Sequence, residues 1–212
     1  ATLKKVTKEQ QTWRKEFKGG EAPVVASKAP AARAAARPAA NKLKGDKGVN
    51  FKNQGHRWCV EAMSKDDGVV TVEVDNVRHS VAIYGCYQAT IDIKGKVKTV
   101  SIDSCEQVKV LMDTTISAVE VLNCKRMQVQ IRDKSPVVNI DKTDGCLTYL
   151  SAEGLDTSFC CAKSSEMNVC FPDPNSADGD LKEVPIPEQF VHKVVLGDGP
   201  PKMSAEISEL YS

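Results

Sequence analysis

The chain has 212 residues, 41% of them hydrophobic and 27% charged, enough for one domain of ordinary size with an appendage. Its net charge of +1 hides a division: residues 1–48 carry 12 Lys/Arg against 4 Asp/Glu, and residues 49–212 carry 17 against 24. No apolar run approaches the roughly 18 residues of a spanning helix and no charged-then-apolar leader opens the chain, so no membrane insertion is expected and a cytoplasmic home is.

Residues 1–18 are polar and helix-compatible, and Gly19-Gly20 ends that segment. Residues 19–48, rich in Ala, Pro, Lys and Arg and without an apolar stripe, read as a flexible basic linker. A start at Ala1 fits a portion of a longer protein. The folded domain is expected over 49–212, opened by Trp58 and Val60 as a first strand that caps the coil.

From Val70 to Phe171 the sequence repeats every 19 residues. One column reads Val72, Ile91, Val110, Val129, and two residues on runs Val74, Ile93, Met112, Ile131, Leu150, Val169. A second strand gives Val81, Val100, Val119, Val138, then Ile83, Ile102, Val121, Ile140, Phe159. Apolar positions two apart inside a longer fixed period are the signature of short strands stacked into a β-solenoid. A column of small residues, Cys86, Cys105, Cys124, Thr143 and Ala162, marks an inward corner.

Beyond the repeat, Asp173–Asp180 reads as a surface loop. Its likeness to a calcium loop fails on register, since Gly179 falls one place late and Val184 stands where the bidentate glutamate belongs. Then come Val184–Phe190, a strand over Val191–Leu196, a Gly-Asp-Gly-Pro-Pro turn and a last segment, Met203–Tyr211. Two strands about a Gly/Pro turn predict a hairpin. A solenoid ends in an unpaired edge, and the hairpin either folds over its own edge or crosses to a second copy, making a dimer by exchange.

Outward columns in the same register run Thr71, Thr90, Lys109, Gln128, Leu147, Glu166 and Glu73, Asp92, Leu111, Gln130, Tyr149, Asn168. Leu111, Leu147 and Tyr149 form an apolar cluster for a partner or for the chain's own loops to cover. Two polar runs, 141–145 and 163–166, fall on one edge, with Lys163 a rung above Asp144. They are either turn chemistry or a recognition edge. The three histidines are scattered and Cys160-Cys161 face opposite ways, so the eight cysteines read as packed free thiols, with no metal or cofactor. No catalytic triad, phosphate loop or His–carboxylate cluster appears, and no enzyme is expected. The basic arm suits an acidic partner, but its aromatic content is too thin for nucleic acid.

The runs Asp-Lys-Thr-Asp-Gly-Cys-Leu-Thr-Tyr-Leu-Ser (141–151), Ala-Lys-Ser-Ser-Glu-Met-Asn-Val (162–169) and Pro-Ile-Pro-Glu-Gln-Phe (185–190) closely resemble the C-terminal half of cyclase-associated proteins. Leu-Lys-Lys-Val (3–6) resembles the end of the WASP-homology actin-binding motif that precedes that domain. The resemblance implies a right-handed parallel β-helix of about six turns, the CARP domain, dimerising by exchange of its C-terminal strands. It also implies a cytoskeletal role: binding monomeric actin, preferably ADP-bound, and hastening its nucleotide exchange alongside cofilin-linked turnover. Leu3, Lys4, Lys5 and Val6 would then meet actin. So would Lys142, Thr143, Asp144, Lys163, Ser164, Ser165 and Glu166. Phe190, Val194, Leu196 and Ile207 would serve dimerisation. The family's usual Trp-Asn-Gly turn is replaced here by Leu196-Gly197-Asp198-Gly199. Two rivals are a dimerisation scaffold without exchange activity and a GTPase activator like tubulin cofactor C, for which Arg78 is the only arginine suited.

Overall fold

A computed structural model describes residues 42–52, 54–176, 179–197 and 199–209. The chain divides into two units, 1–37 and 38–212, and the described residues belong to the second. That unit is built from strands. They are β1 (Gly48–Lys52), β2 (Arg57–Glu61), β3 (Val69–Glu73), β4 (Ser80–Tyr84), β5 (Thr90–Asp103), β6 (Lys109–Leu122) and β7 (Lys125–Ile131). After these come β8 (Val137–Asp141), β9 (Asp144–Leu150), β10 (Ser158–Ala162), β11 (Ser165–Pro172), β12 (Leu181–Pro185), β13 (Phe190–Val195) and β14 (Lys202–Ile207).

Twelve of these strands make one sheet wound into a coil. On one side β3, the first half of β5, the first half of β6, β7, β9 and β11 stack in parallel. On the other, β2, β4, the second halves of β5 and β6, β8 and β10 do the same. The long strands β5 and β6 pass from one side to the other. This is the β-solenoid that the repeat demands. Alternate residues point inward because side chains switch face along a strand. Ile83, Ile91, Ile93, Ile102, Met112, Val119, Val121, Ile131 and Ile140 are buried in a single core. Each such side chain contributes about 1.5–3 kcal/mol of burial.

Two corner insertions and one bulge break the 19-residue register, the bulge lying in the β5–β6 pair, where Lys96 stands beside Thr114 and Val97 beside Thr115. Val70 pairs with Ile91 and Val72 with Ile93, so the sequence columns, which set Val72 and Val74 there, are corrected by two residues. The loop between β3 and β4 carries the extra pair. The same happens late: Phe159 pairs with Val138 and Cys161 with Ile140, because a 3-10 turn at Ala152–Gly154 lengthens that corner. Asn168, not Glu166, therefore stands beside Leu147. Cys170 stands beside Tyr149.

The inward corner is held by backbone in the left-handed region. Ala62, Gly85, Ser104, Asn123, Lys142 and Lys163 have φ between 49° and 61°. The amides of the first five donate to the carbonyls of Tyr84, Asp103, Leu122, Asp141 and Ala162 on the next rung, at 3.0–3.1 Å. Beside them Cys86, Cys105, Cys124 and Thr143 are buried. Ser164, not the exposed Ala162, continues that column, donating its hydroxyl to the Ala162 carbonyl at 2.9 Å.

Both ends are closed on one side only. The first strand is β1, which pairs antiparallel with β2; the short polar run Gly-Val-Asn-Phe-Lys concealed it, and Trp58 opens the second strand instead. At the far end β12 pairs antiparallel with β11. β3 and β10 each have one sheet neighbour. The hairpin of β13 and β14 stands as a separate two-stranded sheet; both strands begin one residue earlier than the sequence reading, and β14 ends at Ile207, short of the Tyr211 expected.

Candidate functional site

The two polar runs meet at the C-terminal end of the inward corner. Ser165 pairs with Asp144 and its hydroxyl lies 3.4 Å from the Asp144 carboxylate. Lys163 therefore neighbours Lys142, and the expectation that it sits above Asp144 fails because the 3-10 turn shifts the last rung by two. The Lys142 amide donates to the Ala162 carbonyl at 3.0 Å, and the Thr143 amide to the Ser164 hydroxyl at 3.1 Å.

Burial divides the seven corner residues. Lys142, Asp144, Lys163 and Glu166 are exposed, while Ser164 and Ser165 are half-buried. Thr143 is only 2% exposed. Its hydroxyl accepts from the Cys124 amide at 3.4 Å and reaches the Asp141 carbonyl at 3.2 Å. Thr143 is thus a packing residue of the corner, unavailable to a partner. Leu3, Lys4, Lys5 and Val6 lie outside the described residues.

The other end of the same corner carries a feature the sequence did not advertise. Residues 42–47, read by composition as linker, cross it as a strap. Lys42 Nζ lies 2.6 Å from Glu106 and 4.5 Å from the centre of the Tyr87 ring. The Lys44 amide donates to the Gly85 carbonyl at 2.9 Å, and Lys47 pairs with Asp67 at 2.6 Å. Arg126 contacts Glu106 from the next rung. Burial alone pushes the Glu106 carboxyl up, but Lys42 and Arg126 outweigh it and hold the group below the usual glutamate range.

The hairpin exposes apolar side chains on both faces, Val191 and Val195 on one and a larger set on the other. Phe190 pairs with Ile207, His192 with Ala205 and Val194 with Met203, placing Phe190, Val194, Met203 and Ile207 on one face, because alternate residues share a face. All four are about half exposed or more, and Leu196 at the turn is 77% exposed. On the opposite face Lys193 pairs with Glu206 at 3.1 Å. The four dimerisation residues named from sequence therefore lie together on exposed hairpin surface.

The expected apolar cluster is partly covered. Leu111, Leu147 and Tyr149 are half-buried, and Leu181 from β12 helps line a groove of about 410 Å³ with Leu111, Gln130 and Tyr149. The cysteines are free. Burial pushes the Cys146 thiol up to about 12. Among the described residues no three His, Cys, Asp or Glu side chains converge for a metal. The rings of His56 and His79 stack 6.0 Å apart, and Arg78 is exposed in the long corner before β4. No helix among the described residues is long and apolar enough to cross a membrane.

Comparison with known proteins gives these features a family. Residues 47–210 match the family described as adenylate cyclase associated (CAP) C terminal. An adenylyl cyclase-associated protein of Dictyostelium discoideum is 35% identical over 140 residues, covering 66% of this chain and 30% of that protein. Adenylyl cyclase-associated protein 2 of Homo sapiens is 36% identical over 137 residues, covering 65% and 28%. The chain thus spans about 30% of the length of the curated relatives it matches. The crystal structure of cyclase-associated protein from Cryptosporidium parvum aligns with a TM-score of 0.72 at 28% identity, covering 78% of this chain and 98% of that one. The solenoid, its polar corner and its terminal hairpin are those of a chain that belongs to the adenylyl cyclase-associated protein family, matched through that family's C-terminal domain.

Proposed function

We propose that this domain binds monomeric actin, with ADP-actin preferred, and promotes its nucleotide exchange in the cytoplasm as part of cofilin-linked actin turnover. The observation that carries the reading is the exposed charged edge formed where Lys142 and Asp144 meet Lys163 and Glu166 on adjacent rungs. Such an edge offers fixed charges of both signs on a stiff scaffold, and a stiff scaffold can hold one conformation of a partner better than another. Exchange then follows from differential binding: the domain favours an actin state whose cleft releases ADP more readily. No covalent step is needed, so the reading is that of an exchange factor and not an enzyme.

In this reading the active form is a dimer in which each hairpin crosses to the other copy. Its support is the unburied apolar face of Phe190, Val194, Met203 and Ile207, together with β10, which has a neighbour on one side only. An exposed apolar ribbon and an unpaired strand edge are each a pairing site. Leu3, Lys4, Lys5 and Val6 supply a second contact to actin, with the lysines meeting acidic groups.

The test is the affinity of the full chain for monomeric ADP-actin with Lys142→Ala and Lys163→Ala combined. Binding weakened about tenfold or more at unchanged Tm supports the corner as the contact. Unchanged affinity removes the corner from the reading.

A further inference from the structure

Beside the first left-handed column runs a second: Gln88, Gln107, Arg126, Gly145 and Glu166 all have positive φ. At its first two positions the amide meets a main-chain carbonyl of the next rung. Gln88 donates to the Glu106 carbonyl at 3.0 Å and Gln107 to the Lys125 carbonyl at 2.8 Å. At Glu166 the coil has run out of rungs. There the amide donates to the side-chain carboxylate of Glu188.

Glu188 belongs to the segment that leads into the hairpin, two residues before Phe190. The segment is fastened at one other point nearby: the Ile186 amide donates to the Met167 carbonyl at 2.8 Å, and Ile186 packs against the core. Past Glu188, every residue of β13 is exposed. Gln189 accepts from the Ser208 amide at 2.9 Å, which ties the hairpin's own ends together and not to the coil. On the N-terminal side the hairpin's approach to the coil is held over Ile186–Glu188, where Glu188 accepts from the amide of a residue of the polar corner.

We propose that Glu188 is a positioning residue that couples the polar corner to dimer assembly. The proposal rests on the functional reading in which the corner meets actin and the hairpin is exchanged. A partner engaging Glu166 acts on the amide that holds Glu188, and the hairpin's exit direction acts on the same bond from the other side. Linkage then makes the two events influence each other by the same factor. The two variants that separate this from simple packing are Glu188→Ala, which removes the acceptor, and Glu188→Gln, which keeps an oxygen able to accept from an amide.

The experiment uses the full chain. Analytical ultracentrifugation gives the dimer dissociation constant, titration with monomeric ADP-actin gives affinity, and hydrogen exchange follows the Glu166 amide. Glu188→Ala is expected to raise the dimer dissociation constant about tenfold, the scale of one hydrogen bond to a charged group. It should also weaken actin binding several-fold and speed exchange at Glu166, with Glu188→Gln close to wild type in all three. A loosened dimer with actin affinity unchanged overturns the coupling, as does Glu188→Ala indistinguishable from wild type. A wild-type chain that is monomeric refutes exchange of the hairpin and takes the coupling with it, whereas a wild-type dimer that binds no actin refutes the actin reading first.

Discussion

The ammonium of Lys42 lies 2.6 Å from a carboxylate oxygen of Glu106 and 4.5 Å over the ring of Tyr87. This contact fastens the strap of residues 42–47 to the coil corner between β5 and β6, 64 residues away. Glu106, held between Lys42 and Arg126, is the anchor. Its carboxyl is depressed in the folded state. A group with a lowered folded pKa stabilises the fold above its unfolded value, and that contribution fades as pH falls through the folded value. Protection of the Lys44 amide, measured against the intrinsic exchange rate at each pH, should therefore hold at neutral pH and fall below about pH 4.3, the ordinary glutamate range. In Glu106→Gln that acid-dependent loss of protection should be absent.

The strap also explains Gly85. Its column elsewhere holds Ser104, Asn123, Lys142 and Lys163, all with side chains in the same left-handed backbone. At Gly85 a Cβ would stand 2.3 Å from the Lys44 carbonyl oxygen, so the strap can lie there only over glycine. Gly85→Ala is expected to displace the strap and lower stability by roughly 1–3 kcal/mol. Faster trypsin cleavage after Lys42 and Lys44 in that variant, with the far-ultraviolet CD spectrum unchanged, would show it.

Thr143 and Lys142 are neighbours with separable roles. Thr143→Val keeps the shape and removes the hydroxyl that serves Cys124 and Asp141. It should cost about 0.5–1.5 kcal/mol, visible as a lower Tm. Lys142→Ala should leave Tm alone, since the side chain is exposed.

The thiols should label in order of exposure. Cys160 is exposed on β10 and should react with a maleimide within minutes at pH 7.5. Cys146, buried and with its thiol pushed up to about 12, should react only after denaturation. Fast labelling of Cys146 in the native protein would contradict the packed core. Slow labelling of Cys160 in a dimer but not in a chain ending at Gln189 would place the exchanged hairpin near β10.

The middle of the coil was legible because its side chains obey one constraint repeatedly. Ile91, Val110 and Val129, or Val81, Val100, Val119 and Val138, face the same narrow interior on successive rungs. The ends were less legible because insertions sit in corners, where no apolar column records them. Two extra residues before Ser80 and two more around Ala152–Gly154 displaced every partner assigned to the first and last turns. The hairpin announced itself through its Gly/Pro turn. The strap did not: Lys42, Lys44 and Lys47 look like solvated linker until Glu106, Gly85 and Asp67 are brought beneath them by the winding of the coil. The two corner runs were found from sequence, but only the three-dimensional register shows that Thr143 is packed and that Glu188 accepts from the Glu166 amide.

The decisive quantity is the rate at which monomeric actin releases a fluorescent ADP analogue in the presence of the full chain. A dose-dependent acceleration, reduced when Lys142 and Lys163 are both replaced by alanine, is the predicted result. Binding to ADP-actin with no change in the release rate would contradict it and leave a dimeric scaffold in its place.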